Sequence, residues 1–212
     1  MASGRVTELN LDLPNKGQVS ALLDRPPDAW IMYVLAHGAG AGMRHRFLES
    51  IARAFSVRGV ATLRYQFPYM EAGARRPDPP AVAEATVQAA ANLAARLADG
   101  LPIIAGGKSF GGRMTSGAAA RSLPGVRGLV FLGFPLHPPG KPATDRADHL
   151  DSVQVPMLFL QGTRDQFARL DLISAVCRRL GSRAALHLID DGDHSFGVPK
   201  RTGRSSSEVV DE

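Results

Sequence analysis

Three residues far apart in this chain have the side chains of a nucleophile, a base and an acid: Ser109, His194 and Asp165. A serine hydroxyl is a weak nucleophile until a neighbouring imidazole takes its proton, and a carboxylate must hold that imidazole in the accepting tautomer. The three residue types together therefore indicate covalent acyl-transfer chemistry, provided that the fold brings them to one place.

The serine lies in Gly107-Lys108-Ser109-Phe110-Gly111, a G-x-S-x-G sequence. An apolar stretch, Pro102–Ala105, precedes it, and a helix rich in small residues follows it. In this strand–turn–helix setting the turn is strained and lifts the serine hydroxyl above the sheet, so the flanking positions need glycine to avoid collisions. The helix that begins at the turn points backbone N–H groups at any oxyanion that forms there.

The same segment also matches the end of a phosphate-binding loop, G-x-x-x-x-G-K-[ST], at Gly107-Lys108-Ser109. The first glycine of that motif would fall on Pro102, and Ile103–Gly106 have the composition of a strand. No loop remains to wrap a phosphate, so the sequence favours a nucleophile turn over a nucleotide site.

The candidate acid and base each follow a predicted strand. Asp165 comes just beyond Met157–Gln161, and His194 lies in the loop after Ala185–Ile189. The carboxyl ends of parallel strands meet at one edge of a sheet, where open α/β sheets carry their sites. We therefore expect both side chains to converge on Ser109.

Other assignments of the acid and base stay open at the level of sequence. Asp165 is also a suitable turn residue before the next helix, and Asp191 and Asp193 are closer to His194 along the chain. Sequence neighbours rarely reach the same ring from the correct side, which favours Asp165. The remaining candidates for the base lie inside a strand or away from a strand end: His187, His137 and His149.

A glycine-rich segment, His37–Gly42, follows the apolar strand Ile31–Ala36. Glycines let the backbone turn and approach a substrate oxygen closely. We expect an oxyanion hole from the backbone N–H groups of Phe110 and Ala39, with Gly40 as the alternative to Ala39, and we expect the His37 side chain to hold the loop. A simple flexible glycine turn is the other interpretation.

The elements that must position these residues can be predicted from the hydrophobic pattern. Two alternating runs, Thr7–Leu13 and Gln18–Leu23, are separated by a Pro14–Gly17 turn and predict an antiparallel hairpin. Continuous apolar strands and helices then alternate, which predicts a mostly parallel sheet with helices on both faces. The parallel strands are expected at Ile31–Ala36, Ala61–Tyr65, Pro102–Ala105, Gly128–Leu132, Met157–Gln161 and Ala185–Ile189.

Between several of these strands, apolar residues recur at helical spacing and a glycine follows, which predicts helices that end near that glycine. The recurring residues are Leu48, Ile51 and Phe55; Val87, Ala90, Ala94 and Leu97; and Leu172, Val176 and Leu180. No domain boundary is visible, so residues 1–212 are expected to form one domain without a cap domain. A capping box at Ser205–Glu208 predicts a short last helix over about 205–212, and an incomplete helix is the alternative interpretation.

Composition excludes several classes of protein. The formal charge of +5 comes from scattered arginines without interleaved aromatic residues, so we expect no nucleic-acid partner. The apolar stretches are too short to span a bilayer, and a signal peptide is not apparent. A single cysteine, Cys177, favours a cytoplasmic protein. We expect a small-molecule partner, no metal or cofactor, and a monomer or homodimer.

Six segments taken together resemble a known family: LAHGAGAGM (35–43), LRYQFPYMEAG (63–73), GGKSFGGRM (106–114), GFPLHPPGKP (133–142), LQGTRDQF (160–167) and DGDHSF (191–196). The chain is similar to the α/β-hydrolase superfamily, specifically to a small, lid-less group of predicted serine hydrolases related to dienelactone hydrolase. The resemblance implies a Ser109–Asp165–His194 triad. Dienelactone hydrolases themselves use a cysteine nucleophile, so their substrate is not expected here.

The sequence thus predicts a lid-less serine hydrolase of the α/β-hydrolase fold that cleaves a carboxylic ester or thioester through an acyl-enzyme at Ser109. The alternative is a binding or scaffolding protein that keeps the fold without catalysis. Basic residues near strand ends suggest an anionic substrate bound by His137 and Lys141, with Arg64 as a third candidate. The competing interpretation is that His137 and Lys141 only hold the Pro-rich loop in place.

Overall fold

Eight strands form one continuous sheet in the computed structural model, which describes residues 6–14 and 16–211, with the backbone alone at 206 and 207. The strands are β1 (Val6–Leu13), β2 (Gly17–Asp24), β3 (Ile31–Ala36), β4 (Val60–Tyr65), β5 (Ile103–Lys108), β6 (Val126–Leu132), β7 (Met157–Gly162) and β8 (Ala184–Ile189). The helices are α1 (Arg46–Val57), α2 (Pro68–Glu71), α3 (Pro80–Leu97), α4 (Phe110–Arg121), α5 (Leu170–Leu180) and α6 (Ser206–Asp211). Their spatial order in the sheet is β1-β2-β4-β3-β5-β6-β7-β8.

The predicted hairpin is confirmed. β1 and β2 pair antiparallel along their whole length, from Val6 opposite Asp24 to Leu13 opposite Gly17. β2 also pairs antiparallel with β4, and all the remaining strand pairs are parallel. Of the predicted Pro14–Gly17 turn, residue 15 lies outside the described residues, and Gly17 has a φ of +73°. The hairpin thus extends the parallel sheet at one edge.

Helices cover both faces of the sheet, as the continuous apolar strands predict. Along β3, Met32 and Val34 face a large core beneath α3, α4 and α5, whereas Tyr33 and Leu35 face a smaller core. α1 and α6 cover that smaller core through Leu48, Ile51 and Val209. The nucleophile helix α4 is therefore packed on one face of the sheet and α1 on the other.

Strand β5 runs further than the apolar pattern predicts, because it continues through two glycines to Lys108. Gly106 and Gly107 have φ values of +154° and +148°, and a Cβ on either would collide with the backbone of a neighbouring strand, at Val130 and Ala36 respectively. Only glycine allows this close approach. The turn therefore begins at Ser109 itself.

Short helices were not predicted, since they are too brief to show a period. α2 has four residues and begins with Pro68, and residues 133–156 between β6 and β7 contain only the 3₁₀ helix Asp145–Ser152. That 3₁₀ helix packs on α4, where the Ser116 hydroxyl lies 2.8 Å from Nε2 of His149. This segment forms no cap over the sheet edge, as expected.

The predicted capping box at the last helix is present. The Glu208 N–H donates to the Ser205 hydroxyl at 3.2 Å, and the Ser205 N–H donates to the Glu208 carboxylate at 2.6 Å. α6 ends at Asp211, which pairs with Arg58 at 3.3 Å, and residue 212 lies outside the described residues. None of the helices within residues 6–211 is long and apolar enough to cross a membrane.

Candidate active site

Ser109 occupies a sharp turn between β5 and α4. Its φ of +49° is unusual for a residue with a side chain, and such a conformation typically costs about 1–3 kcal/mol. The Ser109 N–H donates to the carbonyl of Leu132 at 3.2 Å, which holds the turn on β6. A Cβ on Gly111 would lie 2.5 Å from the His37 carbonyl oxygen, so the second glycine of the G-x-S-x-G sequence is also needed for packing.

The structure brings Ser109, His194 and Asp165 into one chain of hydrogen bonds. The Ser109 hydroxyl lies 2.8 Å from Nε2 of His194, and Nδ1 of His194 lies 2.7 Å from Oδ2 of Asp165. The Asp165 side chain is fully buried, and that of His194 is 19% exposed. Because a carboxylate only accepts hydrogen bonds, Nδ1 carries the ring proton and donates it to Asp165 in a hydrogen bond, which leaves Nε2 as the acceptor for the serine proton.

Backbone and side-chain donors fix the Asp165 carboxylate. Oδ2 accepts a hydrogen bond from Nε2 of Gln161 at 2.5 Å, and Oδ1 accepts one from the Phe167 N–H at 2.7 Å. Gln161 in turn accepts the Phe134 N–H at 2.9 Å, so it can present only its amide N–H₂ to the carboxylate. Asp165 does not cap the next helix, because α5 begins at Leu170 with Arg169 before it.

The other two candidate acids, Asp193 and Asp191, contact groups other than the imidazole. Oδ1 of Asp193 accepts the N–H groups of Ser195 and Gly197 at 2.7 and 2.9 Å, which shapes the loop that carries the histidine. Asp191 pairs with Arg201 at 3.0 Å. Neither carboxylate contacts the imidazole of His194 in the structure, so the geometry favours Asp165 as its partner.

Lys108 braces the His194 loop, a role that sequence reasoning missed. Its Nζ donates to the backbone carbonyl of His194 at 2.5 Å and lies 5.5 Å from the centre of the Phe196 ring. The ammonium passes over Gly133, where a Cβ would lie only 2.8 Å from Nζ. Burial lowers the pKa of Lys108 to about 8, although the charges of Asp165 and Asp193 oppose this.

The expected oxyanion donors lie beside the serine. Phe110 is the first residue of α4, so its N–H is among the helix-end groups that have no acceptor within the helix. Gly38 approaches Ser109 so closely that a Cβ there would lie 3.8 Å from the serine Cβ. Ala39 lines the same cavity as Ser109, whereas Gly40, with a φ of +76°, does not line it. The geometry thus prefers Ala39 to Gly40.

His37 holds the glycine-rich loop. It is fully buried, its Nε2 accepts the Phe67 N–H at 3.0 Å, and its Nδ1 lies 2.8 Å from the Gly38 carbonyl. The second contact requires a proton on Nδ1, and burial lowers the His37 pKa, so the ring is neutral. Its contacts are those of a loop support, as expected.

The three predicted substrate-binding residues are not brought to Ser109. His137 is 2% exposed, and its ring nitrogens contact the backbone of Pro138 at 2.9 Å and of Arg169 at 3.1 Å. Arg64 is buried and donates to the Met43 carbonyl at 3.1 Å. Lys141 is exposed, and none of the three lines the cavity at Ser109. The contacts of both His137 ring nitrogens agree with the competing interpretation, in which His137 holds the Pro-rich loop.

A cavity of about 980 Å³ opens at Ser109 and His194 and continues along α1 to α6. Its walls include Gly38, Ala39, Lys108, Phe47, Phe196 and Val209. Within the described residues, no group of three or more His, Cys, Asp or Glu side chains is arranged to hold a metal ion.

Comparison with known proteins gives one family and many structures of the same fold. A family model described as "Alpha/beta hydrolase domain" matches residues 30–212. Dienelactone hydrolase from Anabaena variabilis has a TM-score of 0.77 at 18% identity, over 98% of this chain and 97% of that one.

Two further structures match almost as well. A serine hydrolase without a lid from Xanthomonas campestris has a TM-score of 0.73 at 23% identity, over 91% of this chain and 87% of that one. The esterase domain of a Rhodothermus marinus protein also has a TM-score of 0.73, at 16% identity, over 98% of this chain and 93% of that one. At these identities the structural matches establish the fold.

Proposed function

Because this chain belongs to the alpha/beta hydrolase family, we propose that it is a serine hydrolase that cleaves a carboxylic ester or thioester through an acyl-enzyme at Ser109. The observation that carries this proposal is the hydrogen-bond chain from Ser109 through His194 to Asp165, with contacts of 2.8 and 2.7 Å. A strained serine turn, a buried carboxylate and a correctly oriented imidazole coincide at one end of an open cavity.

In the acylation step, Nε2 of His194 takes the proton of Ser109 as the serine oxygen bonds to the substrate carbonyl carbon. The carbonyl oxygen becomes an oxyanion, which the backbone N–H groups of Phe110 and Ala39 stabilise. Asp165 stabilises the imidazolium that forms without taking its proton. The bond to the leaving alcohol or thiol then breaks, and His194 protonates that leaving group.

The deacylation step runs through the same groups. Water enters beside His194, gives a proton to Nε2 and attacks the acyl carbon. The oxyanion forms again in the same place, the bond from the acyl carbon to the Ser109 oxygen breaks, and His194 returns the proton to that oxygen. The products are a carboxylic acid and the free enzyme, so the cycle needs no cofactor.

Two observations support a serine mechanism: the descriptions of the comparison proteins and the position of the single cysteine. Two structures of the same fold are described as a serine hydrolase without a lid and as an esterase domain. Cys177 is buried in α5 and away from the cavity, and burial raises its pKa to about 11. Thiolate chemistry of the kind that dienelactone hydrolases use therefore has no counterpart at this site.

A fluorophosphonate probe tests the proposal directly, because it reacts only with an activated serine. We expect the wild-type protein to be labelled and to hydrolyse p-nitrophenyl acetate, and we expect Ser109→Ala to lose both. Ser122→Ala is the matched control, since Ser122 is exposed at the far end of α4, and it should keep both. A folded wild-type protein with no labelling would favour the scaffolding alternative.

A further inference from the structure

The cavity at Ser109 leads in one direction. On the side of β6, the loop after Gly133 is filled by its own side chains, with Phe134 and Leu136 fully buried and His137 held on both ring nitrogens. On the other side, the cavity follows α1 from its N-cap, His45, to its C-cap, Arg58. The groove along α1 therefore offers space for the larger part of a substrate at Ser109.

One face of α1 forms a wall of the groove. Its residues recur at helical spacing on the side opposite the buried stripe: Arg46, Ser50, Arg53, Ala54 and Val57. Val209 and Val210 of α6 also line the groove. Phe47 and Phe196, with ring centres 5.8 Å apart, flank the end near the serine. A helix of 12 residues is about 18 Å long, so the groove suits an elongated molecule.

Basic side chains outnumber carboxylates among the described residues that line the groove. Arg46, Arg53 and Lys108 line it, and its only carboxylate among the described residues, Asp211, pairs with Arg58 at 3.3 Å. Within the described part of the chain, no carboxylate lies within 4.0 Å of the Arg46 or Arg53 side chain. A groove with apolar walls and unpaired guanidinium groups is complementary to an apolar chain that carries an anion.

Accepting the proposed esterase activity, we propose that the groove between α1 and α6 binds the acyl arm of the substrate, and that this arm is an apolar chain bearing an anionic group. The loop with Gly38 and Ala39 supports the assignment to the acyl side, because it lies at the groove entrance and also contacts the carbonyl of the acyl group in the proposed mechanism. Arg53 lies two helical turns beyond Arg46, about 10 Å further from the entrance. It is therefore the guanidinium that a medium-length chain reaches.

Kinetics with matched esters test the charge preference. We compare p-nitrophenyl octanoate with the mono-p-nitrophenyl ester of octanedioic acid, which differs by a terminal carboxylate. At low salt the charged ester should have the higher kcat/KM by about tenfold, and the advantage should shrink as salt screens the interaction. Arg53→Gln should remove most of the advantage. Arg178→Gln, which removes the same charge from an exposed position on α5 outside the groove, should keep it.

A bulky substitution tests whether the acyl chain of the substrate lies along α1. Ala54→Trp narrows the groove midway along α1, so its loss of kcat/KM should grow with acyl length from acetyl to octanoyl. Ala95→Trp, on the exposed face of α3, is the matched control and should show no such trend. Equal losses for all acyl lengths in Ala54→Trp would overturn the path along α1.

A binding measurement separates this inference from the proposed activity. In Ser109→Ala, calorimetry with monomethyl octanedioate and methyl octanoate measures binding without turnover. Tighter binding of the anion, lost in Arg53→Gln and kept in Arg178→Gln, would support the groove even if the wild-type enzyme hydrolysed no ester. The opposite outcome is also distinguishable. If the wild type hydrolyses the acetate ester but the charged and neutral octanoyl compounds bind equally and react at equal rates, the esterase proposal stands and the proposed role of the groove is overturned.

Discussion

Replacing Lys108 by methionine removes a positive charge from beside the proposed base while keeping most of the side-chain volume. A Cβ on Gly133 would lie 2.8 Å from Lys108 Nζ and 3.4 Å from His194 Nδ1, so the ammonium and the imidazole are at most about 6 Å apart. At that distance a unit charge contributes about 0.7 kcal/mol in water and about 3 kcal/mol at an effective dielectric constant of 20. The ammonium therefore lies close enough to act on charge that forms on the ring during the proposed acylation step.

The substitution also removes a hydrogen bond. Without the ammonium, the backbone carbonyl of His194 loses its donor, so the loop that carries the imidazole is held less firmly. We expect the maximal kcat/KM of Lys108→Met to fall by about fivefold, which corresponds to about 1 kcal/mol.

The alkaline limb provides a second test of the same residue. Burial lowers the Lys108 pKa to about 8, so the wild-type enzyme loses this charge as the pH rises through 8. A charge-assisted hydrogen bond is stronger than a neutral one by about 1 kcal/mol, and wild-type kcat/KM should decline several-fold there. Lys108→Met should lack that decline.

The assay is hydrolysis of p-nitrophenyl acetate between pH 5 and 9.5, corrected for uncatalysed hydrolysis. Lys108→Arg is the matched control, because it keeps the charge while altering the contact over Gly133. Because a guanidinium keeps its charge throughout this range, Lys108→Arg should lack the decline near pH 8, although the changed geometry should lower its rate. No decline near pH 8 in the wild type, or an equal decline in Lys108→Met, would refute the electrostatic reasoning.

Three other substitutions follow from the contacts at the site. Asp165→Asn should keep the fold but reduce turnover by about 10⁴, since the ring loses its orienting acceptor, and an unchanged rate would transfer the role to Asp191 or Asp193. Gly111→Val should prevent folding, because its Cβ collides with the His37 carbonyl, and a soluble variant with native circular dichroism would contradict this. His137→Ala should lower the free energy of unfolding by about 2–4 kcal/mol in urea titrations, because both contacts of the ring are lost. Its KM should change equally for charged and neutral substrates, and a KM change confined to charged substrates would favour a role of His137 in binding.

Local pattern was sufficient to predict the sheet. The eight strands can be recognised because each is an uninterrupted or alternating apolar run. The topology of a parallel sheet then places Ser109, Asp165 and His194 at one edge. Their convergence follows from topology, although no sequence rule gives the distances between them. Their catalytic role remains a prediction.

What could not be predicted depends on contacts between distant segments. Lys108 precedes the serine and could be noticed for that reason, but its function as a brace depends on space left by Gly133 and on the position of the His194 carbonyl. His137 looked accessible because it lies in a Pro-rich loop, yet the Arg169 N–H after β7 captures its ring. The groove along α1 likewise depends on where α6 packs, which no local pattern encodes.

The two faces of the sheet hold different parts of the site. α4, which begins at the serine turn, packs into the large core through Met114 and Ala118, whereas Phe196, two residues after the proposed base, belongs to the smaller core under α1 and α6. The smaller core has less apolar surface to lose and should open first under mild denaturant. Opening it would release the histidine from the serine while the sheet and α4 stay folded. Inactivation of this protein should therefore precede its global unfolding, with the base detaching before the nucleophile.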